Sequence, residues 1–274
     1  MASRSPKKGG AARPAVSAIV PAWGEAARLR HVVTALANVL KARCETFEIV
    51  LVDDGAGKSP VAPPPSAVKV SGSPSAPPGA AVPQSPALAD AVAGEHAEAR
   101  AIHLGAHRGR GAVLRSGLAS ARMPLVLYLD PTGAFVADDV RLFLDAIREA
   151  DMVVGYRAAP PASRGERLHW WIHCLVLGVI FGVRVREAEC GFKLMRREAV
   201  ERIRIASDGD FADAELLAKA NVLGARIAEV PVTVSPSAEG ARPVRPCHGS
   251  QARREAWRMF QHPDLAGPPD SGGG

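Results

Sequence analysis

The chain has 274 residues, 47% of them hydrophobic, and a formal charge of +6 at pH 7. That apolar share is enough for a buried core. Its four cysteines, Cys44, Cys174, Cys190 and Cys247, lack any CxxC spacing, which excludes a standard zinc module and gives no sign of a disulfide framework.

The first residues, "MASRSPKKGGAARP", contain no apolar stretch of the kind that opens a signal peptide, so a cytoplasmic location is the default expectation. Residues 1–14 are read as an unstructured start. "AVSAIVPA" (15–22) and "TFEIVLVDDG" (46–55) are short β-branched runs that end in turn residues, the pattern of buried parallel strands. Between them Leu29, Val32, Val33, Leu36 and Leu40 recur at helical spacing, completing a βαβ unit. Residues 57–98 are dense in Pro, Ala and Ser; such a stretch buries too little apolar surface to offset its ordering entropy and is read as a disordered insertion. Then come a strand in "ARAIHLG", a helix entered through glycines in "GRGAVLRSGLASAR", a strand in "PLVLYLD", a helix in "ADDVRLFLDAIREA" and a strand in "ADMVVGYR". This alternation predicts one α/β domain built on a doubly wound, mostly parallel sheet. Ligands of such sheets gather beyond the C-terminal strand ends, where Asp53, Asp54, Asp130 and Arg157 all fall.

"LHWWIHCLVLGVIFGV" (168–183) is the most hydrophobic segment, short for a membrane span. It reads either as a buried helix or as a helix lying at a membrane surface, with Trp170 and Trp171 at headgroup level and Arg164 and Arg167 beside them. Residues 235–274 form a basic, Pro/Gly-rich tail. The tail has no recognition motif and no aromatic stacking platform, so nucleic acid is not an expected partner. Two phosphate-loop look-alikes fail on spacing. "VLVDDGAGKS" has Val52 where a P-loop needs its first glycine, and "GAHRGRGAVLRSG" has Leu114 where G-x-G-x-x-G needs its last.

Seven blocks in register, "VSAIVPAWGEAARL", "FEIVLVDDG", "HRGRGAVLRSGLASA", "LVLYLDPTG", "DMVVGYR", "AECGFKLMRREAV" and "FADAELLAKANVLGARIAEVPV", resemble family 2 glycosyltransferases of the GT-A fold. The dolichyl- and polyprenyl-phosphate glucosyl- and mannosyltransferases look most similar. The resemblance covers residues 15–234 apart from the insertion. It implies an inverting hexosyltransferase, peripheral at the cytoplasmic membrane face, that uses UDP-glucose or GDP-mannose as donor and a polyprenyl or dolichyl phosphate as acceptor.

The same resemblance implies roles for individual residues. Pro21, Ala22, Glu25, Asp53 and Asp54 match the part of the family that grips the nucleoside, where carboxylates accept from hydroxyl and base N–H donors. Arg110 and Arg115, at the glycine-rich helix entry, match positions near the nucleotide. Asp130 matches the first acid of the family's acid-x-acid metal pair. Thr132 stands where the second is expected, and Ala134 where a further polar ligand is common. One carboxylate and one hydroxyl make a weak site for Mg²⁺ or Mn²⁺, which favour several hard oxygen ligands. Arg157, with Arg164 or Arg167, matches arginines that would position the acceptor phosphate, an ionised group needing cations more than a strong base. Glu187 replaces an aspartate of the family. Of Asp213 and Glu215, two positions apart on one helix and so facing different ways, Asp213 is favoured for the site. Cys190 has no evident base partner and reads as structural. These departures leave a second reading open, a degenerate relative that binds a nucleotide or a partner without turnover.

Overall fold

Short runs of β-branched and leucine residues, cut off by Pro, Asp or Gly, pair into one sheet of seven strands. In chain order these are β1 (Ala15–Pro21), β2 (Thr46–Asp53), β3 (Ala99–His103), β4 (Leu125–Leu129), β5 (Met152–Arg157), β6 (Phe192–Arg196) and β7 (Ile227–Val232). The computed structural model describes residues 13–23, 26–55, 85–133, 135–157, 174–175, 177–234, 254–255 and 257–258. The sheet order is β3-β2-β1-β4-β6-β5-β7. All neighbours run parallel except β6, which is antiparallel to both β4 and β5. The mostly parallel α/β architecture expected from the strand–helix alternation is the one observed.

Helices cover the sheet: α1 (Ala26–Arg43), α2 (Ser85–Gly94), α3 (Arg110–Ser120), α4 (Val140–Ala146), α5 (Arg197–Val200) and α6 (Ala212–Val222). In α1 the five residues picked out by spacing, Leu29, Val32, Val33, Leu36 and Leu40, are all buried. Each such side chain stabilises the fold by roughly 1.5–3 kcal/mol when fully removed from water. One expectation is corrected. The insertion does not run structureless to residue 98, because α2 forms within it and buries Leu88, Ala89 and Val92. Those three sit on one helical face, and that small apolar stripe outweighs the proline-rich composition upstream.

Of the helix expected at 168–183, residues 168–173 and 176 lie outside the described residues. Residues 174–175 and 177–181 are helical. There Leu177 is buried while Leu175, Val179 and Ile180 are exposed. Among the described residues no helix is long and apolar enough to cross a membrane.

Candidate active site

The C-terminal ends of β2, β4 and β5 open on the same edge of the sheet, and the acids predicted there are buried rather than displayed. At the end of β2, Asp53 accepts from the backbone N–H of Gly55 at 3.1 Å and lies 3.1 Å from His103 Nδ1. The other ring nitrogen of His103 is 3.1 Å from Asp90 of α2. Ionised carboxylates only accept, so these two contacts are both hydrogen bonds when the imidazole is protonated on both nitrogens. The bond to Asp53 is the main reason its pKa is raised above the ordinary 6.5. Asp54 accepts from the backbone N–H groups of Arg108 and Gly109 at 2.8 and 3.1 Å, with His107 Nδ1 at 2.7 Å. It therefore sits at the N-terminus of α3, where a helix favours negative charge. Gly109 makes that entry with φ +94°, and a Cβ there would lie 2.5 Å from the Asp208 carbonyl oxygen, so only glycine fits.

The first residue of α3, Arg110, then reaches across the strand ends. Its Nη1 donates to Asp130 Oδ2 and its Nε to Asp213 Oδ2, each at 2.5 Å. Asp213, at the start of α6, also accepts from Lys193 Nζ at 2.6 Å. Lys193 lies on β6 opposite Tyr128 of β4 and is fully buried. The Arg110 guanidinium carbon stands 5.7 Å from the Tyr128 ring centre. Asp130 Oδ1 is held by three donors: Trp23 Nε1 at 3.1 Å, Thr132 N–H at 2.8 Å and Thr132 O–H at 2.6 Å. Burial alone would raise the Asp130 carboxyl, but the Arg110 charge and these donors hold it below its usual value. Burial likewise works against the Arg110 cation, yet Asp213 and Asp130 keep it firmly protonated. Two cations and two carboxylates thus form one neutral, buried network at the ends of β4 and β6.

One strand further, Glu187 accepts from the backbone N–H of Arg157 at 2.8 Å. Its other oxygen lies 3.1 Å from Arg157 Nη2, a close approach whose angle does not make a hydrogen bond. Burial raises the Glu187 carboxyl despite the offsetting arginine charge. Arg157 also stands over the Phe135 ring at 5.8 Å. Burial pushes the Cys190 thiol up to about 12, which leaves it unionised and a poor nucleophile near neutral pH.

The predicted residues therefore divide. Arg110, Asp130 and Asp213 meet in one network, Arg157 and Glu187 form a neighbouring pair, Asp54 organises the entry to α3 and Asp53 holds the Gly55 turn and His103. Pro21 and Ala22 are buried at the end of β1, where the Ala22 N–H donates to the Val52 carbonyl at 2.8 Å. Arg115 turns away from this group. Its Nη1 donates to the Ser207 carbonyl at 2.8 Å and its Nη2 to Asp208, fastening the loop before α6. Glu215 also points elsewhere, accepting from the N–H groups of Ala206 and Ser207 and pairing with Lys219. Glu25, Ala134, Arg164 and Arg167 lie outside the described residues. Sequence reasoning missed Trp23, Tyr128, Lys193 and Gly191. Lys193 had a readable signal: a lysine inside "GFKLM", an otherwise apolar strand, must find a buried anion.

The donor set does not fit a resident divalent cation. Asp130 Oδ1 is saturated by three donors and Oδ2 holds Arg110, and no cluster of three or more His, Cys, Asp or Glu suited to a metal occurs among the described residues.

No family profile matches the chain. Its sequence relatives include glycosyltransferase AglD of Haloferax volcanii, 26% identical over 96% of this chain and 40% of that protein. Another is the dolichyl-phosphate beta-glucosyltransferase ALG5A of Trichomonas vaginalis, 28% identical over 79% of this chain and 64% of that protein. The chain thus spans less than two thirds of the length of either relative. Among solved structures, glucosyl-3-phosphoglycerate synthase from Mycobacterium tuberculosis, in complex with Mn²⁺, UDP and glucosyl-3-phosphoglycerate, superposes with a TM-score of 0.61. The match has 18% identity and covers 94% of this chain and 82% of the other. The fold is therefore GT-A, that of the nucleotide-sugar glycosyltransferases. The resemblance to glycosyltransferases read from the sequence holds, since the curated relatives are glycosyltransferases and one is named for dolichyl phosphate.

Proposed function

We propose that this chain transfers a hexose, with inversion, from UDP-glucose or GDP-mannose to a polyprenyl or dolichyl phosphate. The observation that carries the reading is the assembly of Arg110, Asp130, Asp213 and Lys193 at the strand ends of a GT-A sheet, in a chain whose relatives include a dolichyl-phosphate glucosyltransferase. Asp53 and Asp54 mark the nucleoside side and Arg157 with Glu187 the acceptor side.

In this reading an acceptor phosphate oxygen attacks the anomeric carbon from the face opposite the nucleoside diphosphate. The phosphate is already ionised near neutral pH and needs no strong base. Arg157 aligns it, and Glu187 fixes the position of Arg157. Charge gathers on the departing diphosphate, where Arg110 offers a guanidinium with N–H groups to spare. A membrane surface is the natural meeting place for such an acceptor. Leu175, Val179 and Ile180 are exposed, as are Val222 and Leu223 at the end of α6, and Asn221 Nδ2 donates to the Phe181 carbonyl at 3.0 Å. Exposed apolar side chains of this kind suit contact with a lipid boundary.

The test is calorimetric titration with each donor, followed by transfer of labelled hexose to polyprenyl phosphate in detergent. Binding and transfer are expected with one donor. Binding without transfer would favour the degenerate reading, and no binding at about millimolar concentration would defeat the assignment for these donors.

A further inference from the structure

We infer that the Arg110 guanidinium occupies the place of a divalent cation, so that the chain holds a nucleoside diphosphate without a resident metal; the diphosphate half of this statement rests on the transferase reading above.

Three observations converge. Arg110 forks between two carboxylates that come from different elements, Asp130 beyond β4 and Asp213 on α6. Without it, Asp130 Oδ2 and Asp213 Oδ2 would both lose the partner they share, leaving hard carboxylate oxygens of the kind Mg²⁺ and Mn²⁺ take. With it, the charges of Arg110 and Lys193 balance those of Asp130 and Asp213, and a divalent ion could enter only by expelling a buried cation that does not deprotonate.

Thr132 fits the same logic. Its N–H and O–H both donate to Asp130 Oδ1. An ionised aspartate at 132 would lose the hydroxyl bond and set a like charge beside Asp130. The threonine serves a carboxylate whose counter-cation is the arginine.

Gly191 supplies the third observation. A Cβ there would lie 2.6 Å from Asp130 Cβ and 3.0 Å from Arg110 Nη2, so the missing side chain makes room for the guanidinium against the strand end. Arg110 Nη2 has no acceptor among the described residues, and the side chain is 18% exposed. Those spare N–H groups, set in a planar fork, suit phosphate oxygens arriving from the open side.

The experiment has a metal arm and a nucleotide arm on the full chain. Free Mn²⁺ is titrated by electron paramagnetic resonance against the wild type, Arg110→Ala and Arg110→Lys, with thermal unfolding measured alongside. The wild type and Arg110→Lys should leave the Mn²⁺ signal unchanged. Arg110→Ala should take up about one equivalent and be stabilised by it. UDP affinity of the wild type should agree within roughly threefold in EDTA and in Mn²⁺.

Stoichiometric Mn²⁺ uptake by the wild type without nucleotide overturns the inference. So does a gain in UDP affinity of about tenfold or more with Mn²⁺, or a folded Arg110→Ala that binds no Mn²⁺. Should Arg110→Ala fail to fold, the wild-type titrations decide alone. Complete failure of UDP to bind defeats the transferase reading, and the metal arm still decides whether Arg110 stands in the cation's place.

Discussion

Lys193→Met is the sharpest perturbation of the buried network. Methionine keeps the unbranched apolar stem that packs beside Tyr128 and removes only the ammonium. Asp213 Oδ1 and the Cys190 carbonyl then lose a donor in a place with no water access, since Lys193 is 0% and Asp213 1% exposed. Breaking a buried pair from one side costs about 3–5 kcal/mol. Because Arg110 Nε still holds Asp213 Oδ2, the lower end, about 3 kcal/mol, is expected, or roughly 6–12 °C in unfolding temperature for a domain of this size. Asp213→Asn alone should also destabilise, by leaving the ammonium without its anion. The double variant removes both charges and should cost less than the sum of the two singles by about 1–2 kcal/mol. Urea unfolding at pH 7, followed by circular dichroism, measures all three. Single effects that add within about 0.5 kcal/mol, or a Lys193→Met loss below about 1 kcal/mol, would refute the claim that these groups form a coupled, desolvated network.

Two further outcomes follow from the same geometry. Gly191→Ala forces a methyl to within 2.6 Å of Asp130 Cβ and should cost about 1–3 kcal/mol by overpacking. Gly94→Ala, where a Cβ meets nothing within 4 Å, is the control, and equal unfolding temperatures for the two would contradict the packing argument. His103 has a raised pKa, so the stability it contributes is fully present below its unfolded value near 6.5 and fades as pH rises through the folded value above it. The group is partly solvated, so the loss should stay below about 1 kcal/mol. An NMR titration placing the His103 imidazole at or below 6.5 would refute the bridge to Asp53 and Asp90.

β1 to β5 and α1 were legible because each carries its pattern in the chain: short apolar runs ending in turn residues for the strands, and a 3.6-residue stripe for the helix. β6 and β7 were not read as strands. "GFKLM" sets a lysine among apolar residues, and only the return of the chain from β5 makes it antiparallel. That reversal sets Lys193 opposite Tyr128 and Gly191 against Asp130, so the network it builds was hidden as well. The acids themselves stood out as charges at the ends of apolar runs. Which of them meet depends on long-range pairs such as Arg110 with Asp213, and no local pattern specifies such a pair. Arg115 illustrates the limit. It lies near Arg110 in the chain, but the turn of α3 sends it to Ser207 and Asp208 instead.

The two edges of the sheet are built for different purposes. At the N-terminal edge, Ser17 donates to Glu48 at 2.6 Å, Arg100 pairs with Glu48 at 3.1 Å, and the Arg122 and Met123 N–H groups donate to Ser17 and Glu48. These bonds lock the register of β1 and β2, and connections such as Cys44–Glu45 are brief. The long connections, 54–84 and 158–191, both leave from the opposite edge. Register is thereby fixed on the side away from those two connections. Changes within them leave the strand pairing untouched, whereas the stretch that carries Leu177, Val183, Ala188 and Cys190 also packs into the core.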